Sequence, residues 1–286
     1  MTLNKYKITF FGTPDIAVIV LEELKKANII PTLIITAPDK PKGRKLIMTP
    51  PPVKIWALKN NIIAMQPEKL DDNVLNMLSK GNYDLFIVAS YGKILKKELI
   101  EIPKYKTINV HPSLLPKLRG ASPVISAILR DEKKTGVTII LIDEGMDSGP
   151  ILEQKVIDFS DNPKWPLKAS ALGKILAIEG GKMLTEIIPK WIAGKIKPKT
   201  QVHKKATFTK KIKKEDGLIN LDDKPYKNLL KIRGFEEWPT AYFFMEKNNK
   251  KIRVKITDAT LENGDLKIKT VIPEGKKQMD YEDFLR

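Results

Sequence analysis

Two side chains set two residues apart offer the most chemistry in this chain. Asn109 and His111 stand in Thr107-Ile108-Asn109-Val110-His111-Pro112-Ser113-Leu114-Leu115-Pro116, an apolar run that ends abruptly in a proline-bounded loop. On an extended strand, residues 109 and 111 face the same way. A carboxamide can donate hydrogen bonds to an oxygen gaining negative charge, and an imidazole can exchange protons near neutral pH. The pair is equally compatible with a strand-end Asn beside a satisfied core His that has no chemical task. A second loop, Asp143-Glu144-Gly145-Met146-Asp147-Ser148-Gly149-Pro150, carries three acids and two glycines. Its Asp147-Ser148-Gly149 segment fits plain turn chemistry as well as a site carboxylate.

The surrounding pattern is that of an α/β domain. Residues 6–11 predict a strand closed by Gly12-Thr13-Pro14, and apolar positions 16, 17, 20, 21 and 24 predict a helix over 15–26. Strand, glycine turn and helix open many nucleotide-binding domains, yet no full G-x-G-x-x-G is present, so no dinucleotide site is inferred. Strands are expected at 32–36, 62–64, 84–89, 107–111, 136–142 and 151–156, with helices at 53–59, 72–78, 123–130 and 167–188. The unbroken apolar run at 84–89 suits a strand covered on both faces. It exits into Ser90-Tyr91-Gly92-Lys93-Ile94-Leu95. In open α/β sheets ligands sit beyond the carboxyl ends of the strands, where this turn and the one after His111 are both expected. Ile94 and Leu95 are either pocket walls or plain core residues.

Residues 37–52 interrupt the pattern with five prolines and a basic run that includes Lys42, Arg44 and Lys45. The segment is far longer than an ordinary strand-to-helix connection and reads as a disordered surface stretch or a binding loop. Arg44, after Gly43, could fork onto a phosphate or a base edge.

At 286 residues, 42% of them hydrophobic, the chain is expected to form two domains with sizeable cores. It has no cysteine, which excludes disulfides and thiol chemistry. No apolar run approaches membrane length or a secretory leader, so a cytoplasmic protein without membrane contact is expected. The formal charge is +17, and residues 191–286, with 23 basic and 14 acidic side chains, hold more than half of it. Between residues 195 and 214 there are nine Lys and no acidic residue, which is a solvated face or a surface for a polyanion, nucleic acid above membrane.

Together these segments carry a resemblance. Asn109-x-His111-Pro112-Ser113-Leu114-Leu115-Pro116-x-x-Arg119-Gly120, followed by Asp147-Ser148-Gly149, resembles the signature of the 10-formyltetrahydrofolate-dependent formyltransferases. The opening Phe10-Phe11-Gly12-Thr13-Pro14-Asp15, the loop Asp39-Lys40-Pro41-Lys42-Gly43-Arg44 and Tyr91-Gly92-Lys93-Ile94-Leu95 resemble the branch that formylates initiator methionyl-tRNA. The resemblance implies a Rossmann-like, mostly parallel formyltransferase domain over 1–189, a basic linker over 190–206, and a small OB-like β-barrel that binds tRNA over 207–286. It further implies Asn109 as donor to the formyl oxygen, His111 as proton manager and Asp147 as its partner. An Asp beside a His is expected to raise the imidazole pKa. The only other histidine, His203, falls in the basic linker. Folate, the formyl donor, is expected against Ser113, Leu114, Leu115, Pro116, Lys93, Ile94, Leu95 and the backbone of Glu144, Gly145 and Met146. The tRNA is expected on Lys42, Arg44, Lys45, Lys210, Lys211 and Arg233. No metal site and no dimer seam are expected.

Three departures accompany the resemblance. The C-terminal barrel is about twenty to thirty residues short, and the loop after Arg44 about two residues short. The family's tryptophan after Leu218-Ile219 is replaced by Asn220-Leu221.

Overall fold

The computed structural model describes residues 5–43, 45–247 and 249–286. Packing divides them into two compact units, each assembled from separate stretches of chain. One is formed by the described residues of Met1–Arg119, Gly136–Val156 and Lys174–Phe208, the other by those of Gly120–Thr135, Ile157–Gly173 and Thr209–Arg286.

The first unit is built on a seven-stranded sheet. Strand β1 (Ile8–Gly12) leads to helix α1 (Asp15–Lys26) and strand β2 (Leu33–Ile35). The long proline-rich segment then folds into an exposed hairpin, β3 (Lys40–Lys42) with β4 (Ile47–Thr49), whose strands run antiparallel. Helix α2 (Pro52–Lys59), strand β5 (Ile63–Met65), helix α3 (Asp72–Ser79), strand β6 (Leu85–Ala89) and the short helix α4 (Lys97–Ile100) follow. Strand β7 (Thr107–His111) comes next; after α5 (Pro123–Leu129) come β8 (Lys134–Leu141), β9 (Ile151–Asp158) and the long helix α6 (Ala169–Ile192). The sheet order is β5-β2-β1-β6-β7-β8-β9. Pairs β5–β2, β2–β1, β1–β6 and β6–β7 are parallel, whereas β7 and β8 run antiparallel.

This order places β7 inside the sheet, and the sequence explains why it stays there. Thr107, Ile108 and Val110 are β-branched, and each fills a buried or nearly buried position on the pleat. The face away from Asn109 and His111 takes α6 at close range: a Cβ on Gly180 would stand 2.5 Å from Val110 Cγ1, and one on Gly181 2.5 Å from Glu23 Cβ of α1. Two glycines in mid-helix lower its intrinsic stability, and here they permit that approach.

In the second unit, helix α7 (Pro225–Gly234) is followed by β10 (Tyr242–Lys247), β11 (Lys250–Glu262), β12 (Asp265–Pro273), β13 (Met279–Asp280) and helix α8 (Tyr281–Leu285). The strands form one antiparallel sheet in chain order. Among the described residues this sheet has four strands, fewer than the five of an OB barrel. Ile219, Ile232, Phe243, Val254, Ile256, Val271 and Phe284 form its core. Helix α5 packs on α7, where Leu129 lies against Gly234. Asp131 ties the unit internally, accepting hydrogen bonds from Trp165 Nε1 and Tyr226 Oη, both at 2.6 Å. Its carboxylate and the burial of the ring push the Tyr226 phenol up to about 12, burial being the larger cause.

Among the described residues no helix is long and apolar enough to cross a membrane, and no group of His, Cys, Asp or Glu is arranged to hold a metal ion.

A Cβ on Gly136 would lie 2.0 Å from the Lys155 carbonyl oxygen, a backbone atom that cannot step aside alone. Gly136→Ala is expected to force β8 and β9 apart and to cost about 1–3 kcal/mol of stability, read as a lower midpoint in urea unfolding.

Candidate active site

Strand β7 delivers Asn109 and His111 to one face, with Asn109 opposite Val88 of β6 and Ile140 of β8. The His111 ring is 3% exposed. Its Nε2 lies 3.1 Å from the Leu118 carbonyl oxygen, and its Nδ1 lies 3.5 Å from Asp147 Oδ1. A carbonyl can only accept, so Nε2 carries the hydrogen and the neutral ring turns its lone pair, at Nδ1, toward the carboxylate. Two acceptors thus face each other across a gap that invites one proton.

Burial is the largest influence on this imidazole and pushes its pKa below the ordinary 6.5. Asp147 and the Leu118 carbonyl act in the opposite direction, and the Arg119 charge reinforces burial. The expectation from sequence that Asp147 would raise the pKa holds for that one contact, but desolvation outweighs it. The resting ring is therefore neutral at physiological pH, ready to take a proton rather than to give one.

The loop after His111 is braced from within. Ser113 Oγ donates to the Lys117 carbonyl at 2.7 Å, and Thr138 Oγ1 donates to the Ser113 carbonyl at 2.6 Å while accepting from Leu115 N at 3.1 Å. Gln154 Nε2 bridges the Leu115 carbonyl and Thr138 Oγ1. Ser113 and Leu115 are buried, and Leu114 lies beside Gly136. The Ser113 and Thr138 hydroxyls and the Gln154 amide thus serve the loop itself, and of residues 113–116 Leu114 and Pro116 are partly exposed.

The other expected folate residues divide by exposure. Ile94 is 90% exposed and Met146 59% exposed, whereas Leu95 sits in the core with Phe11, Phe86 and Tyr91. Lys93 Nζ donates to the carbonyls of Pro67 and Glu68 at 2.6 and 2.7 Å. Burial, followed by the charge of Lys40, holds its pKa below the usual lysine range. Gly145 N donates to Asp143 Oδ1 at 3.1 Å, and Glu144 meets Lys97 in an exposed ion pair that links the two segments.

Of the expected tRNA residues, Lys42, Lys45, Lys210 and Lys211 are exposed. Arg233 is engaged at home, with NH1 3.2 Å from Asp258 Oδ1 and NH2 donating to the Ala259 carbonyl at 3.0 Å. Arg44 lies outside the described residues. Sequence reasoning missed the β3–β4 hairpin; the neighbouring apolar residues Leu46, Ile47 and Met48 are 69, 62 and 59% exposed. The apolar run Leu46-Ile47-Met48 shortly after Lys40-Pro41-Lys42-Gly43 was the available signal. It also missed Gln201, Thr138 and Gln154, single polar residues that carry no motif.

Comparison with known proteins defines the class. Residues 6–163 match the formyl transferase family model, and residues 211–265 match the model of the formyl transferase C-terminal domain. The chain belongs to the formyl transferase family. A Thermodesulfovibrio yellowstonii protein named methionyl-tRNA formyltransferase is 39% identical over 296 residues, covering 97% of this chain and 94% of that protein. In fold, the chain is similar to methionyl-tRNA formyltransferase from Clostridium thermocellum, with a TM-score of 0.60 at 19% identity over 96% of this chain and 99% of the other. It is also similar to an N-formyltransferase from Helicobacter canadensis solved with folinic acid and dTDP-3-aminofucose, with a TM-score of 0.64 at 22% identity over 90% of this chain and 88% of the other.

The depressed imidazole pKa has a definite sign. In the unfolded chain the ring takes up a proton near pH 6.5, while the folded ring resists it. The His111 contribution to stability is thus complete above that pH and is lost as pH falls below it. The His111 resonance is expected to titrate with a midpoint below 6.5, and Asp147→Asn to lower it further. A midpoint that rises in the variant would contradict the role of Asp147 as the charge that partly offsets burial.

Proposed function

We propose that this formyltransferase moves the formyl group of 10-formyltetrahydrofolate onto the α-amino group of methionine carried by initiator methionyl-tRNA. The observation that carries the proposal is likeness along nearly the whole chain to a protein named methionyl-tRNA formyltransferase. The chemistry at β7 supports it. Amine attack on the formyl carbon forms one C–N bond and breaks another, and one proton passes overall from the amine to the folate nitrogen. The intermediate is tetrahedral with a negatively charged oxygen, so the site needs a donor at that oxygen and a proton acceptor near the amine.

Asn109 is the donor. No hydrogen bond from its carboxamide is found among the described residues, so it is available to the substrate. His111 is the acceptor: with Nε2 held by Leu118, its Nδ1 and the facing Asp147 carboxylate receive the proton that the amine sheds. Exposed Ile94 and Met146 offer aliphatic surface to the flat pterin, Leu114 and Pro116 extend it, and the backbone of Glu144, Gly145 and Met146 reads its polar edge. Lys42, Arg44 and Lys45 in the first unit, and separately Lys210 and Lys211 in the second, meet RNA phosphates; Arg233, in the second unit, is held by Asp258. Binding of tRNA is expected to weaken steeply with salt.

The test supplies the formyl donor with methionyl initiator tRNA, glycinamide ribonucleotide or an amino-sugar nucleotide. Only the tRNA is expected to be formylated, and product from the amino sugar alone would overturn the proposal. In the tRNA assay, Asn109→Ala is expected to lower kcat about a hundredfold, the usual cost of one oxyanion donor; unchanged turnover removes Asn109 from the mechanism. Arg44→Ala is expected to raise KM for tRNA and leave KM for folate in place. Equal loss toward both substrates would assign the basic loop of residues 37–52 a structural role.

A further inference from the structure

The segment that follows α6 is held against both loops that face His111. Lys199 and Ile151 exchange backbone hydrogen bonds, each of 2.8 Å, at the start of β9. Further on, Leu118 N donates to Thr207 Oγ1 and Arg119 N to the Thr207 carbonyl, both at 2.9 Å, while Thr207 N donates to the Pro116 carbonyl at 3.3 Å. Between these anchors Gln201, 4% exposed, places its carboxamide at the centre of a buried fork. Its Nε2 donates to the carbonyls of Asp147 and Gly149 at 2.9 and 2.8 Å. Its Oε1 accepts from Arg119 Nε at 3.2 Å and from Arg119 NH2 at 2.6 Å. Two carbonyls on one side and a guanidinium on the other admit only this orientation of the amide.

Arg119 directly follows Leu118, whose carbonyl holds His111 Nε2, and Asp147 stands at His111 Nδ1. We infer that Gln201, gripped by Arg119, is a positioning residue that fixes the spacing of the His111–Asp147 pair, and that the 199–208 segment is a strap of the active site. That role rests on the formyl-transfer function proposed above. Gln201 does not touch the reacting atoms; it holds the Asp147 turn by its backbone. Displacing a catalytic group by about 1 Å costs a large factor in rate, so a clamp of this kind acts on kcat.

Gln201→Glu is the discriminating variant, because a carboxylate keeps Arg119 paired and withdraws both donors from the Asp147 turn. Full-length protein is compared with wild type for kcat, both KM values, thermal midpoint and the His111 titration seen by NMR. The expected result is a kcat lower by about tenfold or more, KM for the formyl donor within about twofold, and a His111 midpoint displaced by about half a pH unit or more. A variant that is merely less stable, with kcat and the His111 midpoint of wild type, overturns the clamp. Should Gln201→Glu fail to fold, Thr207→Val tests the other anchor, where loss of the Leu118 N–H acceptor is expected to move the same two readouts; if neither moves, the clamp is overturned. A wild type inactive on all three amines would sink the formyl-transfer function instead, while the His111 titration still judges the clamp.

Discussion

A buried imidazole must have both nitrogens accounted for, and the site is organised by how His111 meets that requirement. The Leu118 carbonyl takes the Nε2 hydrogen, which leaves Nδ1 bare against the Asp147 carboxylate. Burial keeps the ring neutral, and the carboxylate makes protonation less costly when a proton arrives. A base that rests neutral and is stabilised once charged suits a reaction in which an attacking amine becomes acidic only after it has bonded to carbon.

That arrangement needs three stretches of chain to converge within a few ångströms, and each is held by a different device. The strand bearing His111 sits in the interior of the sheet, with Val110 under Gly180 of α6 on its far face. Residues 113–117 are braced by Ser113, Thr138 and Gln154, side chains whose polar atoms are spent on the loop itself. The Asp147 turn has Gly149 where it passes Leu141, and a Cβ there would meet the Leu141 carbonyl oxygen at 1.8 Å. The second unit is built by other means: an antiparallel sheet packed on α7, and a half-buried Asp131 joining Trp165 to Tyr226.

The residues expected to cradle the folate show why a motif does not assign tasks one by one. Ser113 and Leu115 belong to the same signature as His111, yet both are buried in the construction of the turn. Ile94 and Leu95 are neighbours, one almost fully exposed and the other in the core. Arg233 likewise meets an acidic partner at home. A resemblance preserves the positions; which side chains face outward is settled by the loop that carries them.

Local pattern was enough for much of the fold. The alternation of strands and helices, the continuous apolar run of β6, the Gly12 turn and the pairing of residues 109 and 111 on one face follow from periodicities of two and 3.6, which depend only on neighbours in sequence. The family resemblance that Asn109, His111 and Asp147 carry was likewise enough to suggest the chemistry. The sign of the His111 pKa shift was not readable, because it balances a nearby charge against desolvation by atoms distant in sequence. Nor was the task of residues 199–208 readable: a lysine-rich stretch with one Gln looks like a linker until Arg119 and the Asp147 turn close around its carboxamide. Local order is written in neighbours, whereas protonation and positioning are decided by contacts that only the folded chain creates.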